Sequence, residues 1–199
     1  MRKIISLFQR NYDTDRLVRD EVVPGAEWVL AGEGVATRKY DGVCVMVRDG
    51  VLYKRYELKP GKTPPPAWEQ ADERDETTGK TMGWVPVSET DPADRYMREA
   101  FRDECPAAMK AMSGETAEFL GPKSQGNVEG FPRHALLFHK DAAQYEDAPR
   151  TFDALREYLA THCIEGLVWH HPDGRMVKIK AKDFGIKRAA ASEAPDHGR

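Results

Sequence analysis

The sequence predicts an α+β fold of antiparallel β-sheets flanked by helices. Three observations carry this. Two hairpins can be read directly, one around Asp49-Gly50 and one around Pro172-Asp173-Gly174. Two amphipathic segments follow helix-starting residues, near Asp91 and near Thr151. The other apolar runs, residues 35–39, 116–120 and 135–138, have the length of single strands.

The elements follow in chain order. Met1 to Arg10 begins basic and apolar, but its apolar part is too short for a signal peptide, so a strand is expected there. Val43-Cys44-Val45-Met46-Val47 is β-rich, turns at Asp49-Gly50 and resumes at Val51-Leu52-Tyr53. Residues 59–76 contain Pro64-Pro65-Pro66 and then Glu69, Asp72, Glu73, Asp75 and Glu76, which predicts a mobile surface excursion. Asp91 is placed to cap a helix with Pro92 as its first residue. Ala93, Tyr96, Met97, Ala100 and Phe101 then share a face, and Pro106 marks the stop. A second helix starts near Thr151 and puts Phe152, Leu155 and Leu159 on one face before Cys163. Leu167 to His171 and Met176 to Lys180 form the second hairpin. No internal repeat is present. One domain over residues 1–188 is expected, with a disordered tail from Ala189 to Arg199.

Composition narrows the function. The 199 residues are 32% charged and 40% hydrophobic, and no apolar run is long enough to cross a membrane. Cys44, Cys105 and Cys163 are odd in number and lack metal-ligand spacing, so they read as small buried hydrophobes in a reducing cytoplasm. The net charge of −3 argues against a protein that simply coats nucleic acid. The charge is uneven, however. Residues 36–62 carry seven Lys/Arg against three Asp/Glu, and residues 166–188 carry six against two. Residues 69–104 reverse this, with eleven acids and five bases. If the two basic stretches meet in the fold, they form a local cationic cleft suited to phosphates.

The candidate chemistry lies in those basic stretches. Lys39-Tyr40-Asp41-Gly42 places a lysine at a strand end, before an acid and a turn glycine. A nucleophilic lysine must lose its proton, and neighbouring cations such as Lys178, Lys180 and Arg55 would lower its pKa. The plainer reading is an exposed lysine before an ordinary turn. Val177-Lys178-Ile179-Lys180 alternates, so the two lysines share one face and Val177 and Ile179 point to the core. An edge strand protected by lysine would look the same. Lys54-Arg55 after the first hairpin either meets phosphate or faces solvent. Glu118 lies within a β-rich run and Glu165 starts the strand Gly166-Leu167-Val168. Such acids serve a metal or a ribose hydroxyl beside a phosphate site; alternatively, Glu118 faces solvent and Glu165 closes a helix.

Taken in order, these elements resemble the motif series of the covalent nucleotidyltransferases, the polynucleotide ligases and mRNA-capping enzymes. The series runs through Lys39-Tyr40-Asp41-Gly42, Lys54-Arg55, Glu118, Phe138, Glu165-Gly166-Leu167-Val168 and Lys178-Ile179-Lys180. Within that superfamily the chain is most similar to ATP-dependent RNA ligases, through the strings Glu118 to Asn127 and Gly174 to Gly185. The resemblance implies a nucleotidyltransferase (ATP-grasp-like ligase) domain. It implies that Lys39 attacks the α-phosphate of ATP and becomes lysyl-AMP, with Asp41 in support and Gly42 permitting the turn. Arg55, with Lys54, would contact the nucleotide and later the RNA 5′-phosphate, and Glu118 would bind the ribose and help hold metal. Phe138 would stack on adenine, with Leu137 and His139 as alternatives, and Arg38 and Val168 would line the nucleotide site. Glu165 would serve Mg²⁺ or Mn²⁺, and Lys178 and Lys180 would neutralise the α-phosphate. The implied partner is RNA with a 5′-phosphate and a 3′-hydroxyl.

The pattern departs from the family in one respect. DNA ligases and capping enzymes carry an OB-fold domain after the last lysine motif, and the 19 residues from Ala181 to Arg199 are too few for a C-terminal OB-fold domain. A minimal catalytic domain, or a repair partner protein that supplies the substrate clamp, would account for this. A DNA ligase, a capping-type guanylyltransferase and an inactive nucleotide- or RNA-end-binding module are the alternative readings. Gly121 to Val128 has Walker spacing but Asn127 where lysine is needed. Gly32 to Thr37 lacks the third glycine of a dinucleotide site. Asp183-Phe184-Gly185 stands without the other kinase motifs, and His162, Cys163, His170 and His171 fit no zinc-finger spacing.

Overall fold

The computed structural model describes residues 4–103 and 114–188. Cys105, the helix stop expected at Pro106 and the tail from Ala189 to Arg199 lie outside the described residues. The strands in chain order are β1 (Ile5–Ser6), β2 (Phe8–Arg10), β3 (Val18–Val22), β4 (Val35–Lys39), β5 (Val43–Arg48), β6 (Val51–Leu58), β7 (Glu69–Gln70), β8 (Thr81–Pro86), β9 (Glu115–Leu120), β10 (Ala135–Phe138), β11 (Gln144–Tyr145), β12 (Gly166–His170) and β13 (Met176–Lys180). The α-helices are α1 (Glu27–Leu30), α2 (Arg95–Asp103) and α3 (Phe152–Thr161). The architecture is mixed α+β with mostly antiparallel pairing, as the hairpins predict. No helix among the described residues is long and apolar enough to cross a membrane.

The chain divides into two compact units. One comprises Ile4–Tyr40 and the chain from Ala142 onward. Its main sheet has the order β1-β13-β12-β4-β11, with β2 and β3 paired separately. Every pair in the main sheet is antiparallel except β1 with β13. Alternation along β4, β12 and β13 sends Ala36, Leu167, Trp169, Val177 and Ile179 into the core. There they meet Leu7, Phe8, Trp28, Leu155 and Leu159. Helix α3 buries Leu155 and Leu159, the face its spacing predicts. Phe152 packs edge-on to Phe8 and to Phe184, each at 5.1 Å between ring centres. Helix α1 is a single turn, and Arg150 satisfies carbonyls at its end. The guanidinium donates to Val29 O at 3.0 Å, Glu33 O at 2.6 Å and Gly34 O at 2.9 Å.

The other unit is built on Asp41–Asp141. Its sheet has the order β10-β9-β5-β6-β8-β7 and is antiparallel throughout. Asp49 (φ 52°) and Gly50 (φ 76°) are both left-handed, as a two-residue hairpin turn of this type requires. Val45, Val47, Leu52, Ala117, Phe119, Leu136 and Phe138 form the core, with Tyr96, Met97, Ala100 and Phe101 of α2 against it. Asp91 caps as expected, accepting the Ala93 N–H at 2.9 Å. The α-helix proper starts later, at Arg95, because residues 92–94 form a 3-10 turn. This turn leaves Ala93 exposed and buries Asp94 instead.

Four strands have no counterpart in the sequence expectations: β3, β7, β8 and β11. Gly83 interrupts the apolar pattern of β8, because a Cβ there would stand 2.2 Å from Trp68 Nε1. The acidic excursion is not wholly outside the fold. Glu69–Gln70 returns to pair with β8, and Glu69 binds Arg48 at 2.7 Å.

Gly166 is a point of close backbone approach in the five-stranded sheet. A Cβ built there would lie 2.0 Å from Ile179 O and 2.8 Å from Lys180 Cα, both backbone atoms. Gly166→Ala is expected to lower stability by about 1–3 kcal/mol, the usual penalty of overpacking. A urea titration checks this: the midpoint falls while the slope is unchanged.

Candidate active site

Three adjacent strands, β4, β12 and β13, bring together residues that are far apart in the chain. Gly166 is in register with Lys39 on one side and Lys180 on the other. Val168 is likewise between Thr37 and Lys178. Lys39, Lys178 and Lys180 therefore share one face of the sheet with Thr37 and Val168, while the reverse face carries the core. The shared lysine face of β13 is the one its alternation predicts.

Glu165, in the turn before β12, joins this array. Its Oε2 accepts from Lys39 Nζ at 2.5 Å and its Oε1 from Lys180 Nζ at 2.7 Å. The residue is only 8% exposed. Lys39 Nζ also donates to the Tyr40 carbonyl at 3.3 Å. Behind Lys180, Asp183 is 2% exposed, accepts the Lys180 N–H at 3.0 Å and forms an ion pair with Arg10. The Asp183-Phe184-Gly185 string is thus a 3-10 turn, closed by Gly185 at φ 77°, that holds the end of β13.

The electrostatics follow from burial and proximity. Desolvation alone would push the Glu165 carboxyl up, but the Lys39 and Lys180 ammonium groups outweigh it and hold it below the ordinary glutamate value. Lys178 moves the other way. Burial, reinforced by Lys180 and Lys39, pushes its pKa down to about 8. Lys178 is thus an amine with a loosened proton within the cluster, and Lys39 rests against a carboxylate. Such a cluster, cationic with an internal counter-ion, suits an oxyanion such as phosphate.

The other sequence-derived candidates fall in different places. Arg38 alternates away from Lys39, opposite Leu167, with its guanidinium 4.8 Å from the centre of the Tyr40 ring. In the other unit, the Asp41 N–H donates to Glu129 Oε1 at 2.8 Å. Gly42 has Phe119 O and Glu118 against it, so its lack of a side chain serves close packing. Lys54 and Arg55 alternate onto opposite faces of β6. Lys54 Nζ pairs with buried Asp94 at 2.5 Å, while Arg55 lies beside Trp84, 5.9 Å from its ring centre. Phe138 points into the core with Leu136, so its ring stabilises the sheet. Leu137 is the residue in register with Glu118, which is 9% exposed, and His139 Nε2 lies 3.3 Å from Glu118 Oε1. Of the three residues considered for stacking, Leu137 and His139 are therefore the two on the Glu118 side.

The rejected motifs look structural. Ser124 donates to Phe119 O at 2.8 Å, and Asn127 closes on Phe131 with both its amide oxygen and nitrogen, a self-contained turn. His162 bonds Tyr158 O, His170 lies against Thr37, and His171 binds Glu33 and Asp173. Arg10, Asp94 and Glu129 hold Asp183, Lys54 and the Asp41 N–H without any motif that marks them in the sequence. Arg10 and Asp183 are 173 residues apart, and no local pattern links them.

The sequence matches no family model and no curated protein.

The depressed Lys178 makes a signed prediction. Its folded pKa lies below its unfolded one, so the charged form weighs against folding below about pH 8. That penalty fades as pH rises towards the unfolded value of about 10.4. Lys178→Met should therefore stabilise the protein at pH 7, by about 1–3 kcal/mol. The gain should shrink steadily above pH 8. Denaturation midpoints measured across this range check both the sign and the window.

Proposed function

We propose that this chain is an ATP-dependent RNA ligase of the covalent nucleotidyltransferase type, with Lys39 as the nucleophile. The observation that carries the reading is the shared sheet face of Lys39, Lys178 and Lys180, with Glu165 bound between Lys39 and Lys180. These are the residues that the motif resemblance ties to phosphoryl transfer. They converge although Lys39 and Glu165 are 126 positions apart.

The chemistry proceeds in three transfers. Lys39 Nζ gives up one proton from its ammonium group to solvent and attacks the α-phosphorus of ATP, losing a second proton as the P–N bond forms. The bond to the pyrophosphate oxygen breaks, and a lysine phosphoramidate of AMP forms. An oxygen of the RNA 5′-phosphate then attacks the same phosphorus and takes AMP from the lysine. Finally, the 3′-hydroxyl of the adjoining end attacks the activated 5′-phosphate, AMP leaves, and the phosphodiester is closed. Lys178 and Lys180 offset the negative charge that builds on the phosphate oxygens in the first transfer.

Magnesium would arrive bound to ATP and would supply charge neutralisation at the phosphates; Glu165, the carboxylate facing Lys39, would be the residue to hold it. Both Glu165 oxygens hold lysines, so phosphate must first draw the ammonium groups towards itself.

Incubation with α-labelled ATP and Mg²⁺ should leave label on the protein through denaturing electrophoresis. Lys39→Ala should abolish it, and a chelator should prevent it. No label, or label surviving in Lys39→Ala, would refute the reading. Labelling by GTP in place of ATP would transfer it to a capping-type enzyme. Among labelled products, sealing of nicked DNA but not of RNA would make it a DNA ligase.

A further inference from the structure

A second constellation lies on the six-stranded sheet, outside the lysine cluster. Cys44 of β5 and Glu118 of β9 are direct cross-strand partners, so both side chains leave the same face. That face is the reverse of the one carrying Val45, Ala117 and Phe119 into the core. His139 follows β10, and its ring turns onto the same side, with Nε2 3.3 Å from Glu118 Oε1. One ligand atom from each of Cys44, Glu118 and His139 lies within 4.8 Å of the other two.

Two details separate this trio from a chance hydrogen-bonded group. First, the ring of His139 is oriented from behind: its Nδ1 lies 2.7 Å from Thr116 Oγ1, leaving Nε2 directed at Glu118. Fixing one ring nitrogen so that the other faces a ligand is how metal-binding histidines are held. Second, 3.3 Å is long for a charge-assisted bond, which would be about 2.7–2.9 Å. It matches the edge of a coordination tetrahedron instead: two atoms each about 2.0 Å from zinc lie about 3.3 Å apart. Glu118 is 9% exposed, and Cys44 and His139 are half-buried, so a fourth position can be filled by water.

We propose that Cys44, Glu118 and His139 bind one zinc-class divalent ion. The thiolate and imidazole select a borderline-soft metal over Mg²⁺, so this ion differs from the one that accompanies ATP. Binding releases the thiol proton, and affinity falls as pH falls. The cysteine spacing gives no hint of the site, because the ligands are assembled by strand register. The resemblance gives Glu118, and His139 as an alternative to Phe138, to the nucleotide, so the zinc site competes with that assignment, while Cys44 has no part in lysine adenylation as proposed.

Cobalt reports the site directly. Metal-free, reduced protein titrated anaerobically with Co²⁺ should take up one ion per chain. It should develop a thiolate-to-cobalt charge-transfer band and the strong visible bands of tetrahedral cobalt, and added Zn²⁺ should bleach both. Cys105→Ser/Cys163→Ser should keep the spectrum, Cys44→Ser should lose it, and His139→Gln should bind at least about tenfold more weakly. No uptake, uptake without a thiolate band, or a band persisting in Cys44→Ser overturns the proposal. If Cys44→Ser does not fold, the double variant and His139→Gln decide: the absence of the band in the first, or unchanged affinity in the second, overturns it. Lys39→Ala, which removes adenylation, should retain the cobalt spectrum, so the two readings fail separately.

Discussion

Glu165 and the two ammonium groups it accepts hold the lysine face together. Three lysines on one face of a sheet repel one another, and a buried carboxylate without a partner would not remain ionised. Each removes the other's difficulty. One oxygen of Glu165 takes the lysine of β4, and the other takes the lysine of β13. The central strand β12 contributes no side chain where the two lysines face each other, because Gly166 stands there. A larger residue would push β12 off β13 and separate the charges it now brings together.

This arrangement sets a tension between stability and reactivity. An amine pressed against a carboxylate keeps its proton, and a protonated amine is no nucleophile. Under the ligase reading, the resting protein is therefore inert until phosphate competes for the ammonium groups. Lys178 has a different character. It is buried beside two cations and is the amine that the protein itself makes easy to deprotonate. The cluster thus holds lysines of two kinds: two paired with a carboxylate, and one whose proton is loosened by burial and by its cationic neighbours.

Much of this was legible in the sequence. Period-two alternation shows Lys178 and Lys180 on one face and Val177 and Ile179 on the other. Asp49-Gly50 marks its turn, and Asp91 marks its cap. What alternation decides within a strand, it decides well. It does not say which strands are neighbours, and this is where the reading thinned. Lys54 and Arg55 look like one basic pair, yet adjacent positions on a strand face opposite ways, and Asp94 had already claimed Lys54. The resemblance gives Phe138 to adenine, with Leu137 and His139 as alternatives, but Leu136 and Phe138 form the inward side of β10. Cys44 and Glu118 are 74 positions apart, and only the register of β5 against β9 makes them partners. Strand β8 was hidden by Gly83, which reads as a break and is an accommodation for Trp68.

The topology of the five-stranded sheet has a kinetic consequence. β1 lies beside β13, and β4 beside β12, so the start and the end of the described chain are woven into one sheet. β11, β12 and β13 are made after the other described strands. A chain growing on the ribosome therefore exposes Lys39 long before Glu165, Lys178 or Lys180 exists. Until then β4 has only β11 beside it, and Lys39 lacks the carboxylate of Glu165. The six-stranded sheet is drawn wholly from the intervening residues and can close first. Pairing across such sequence distances is slow. The lysine cluster accordingly forms only after β12 and β13 have joined β4.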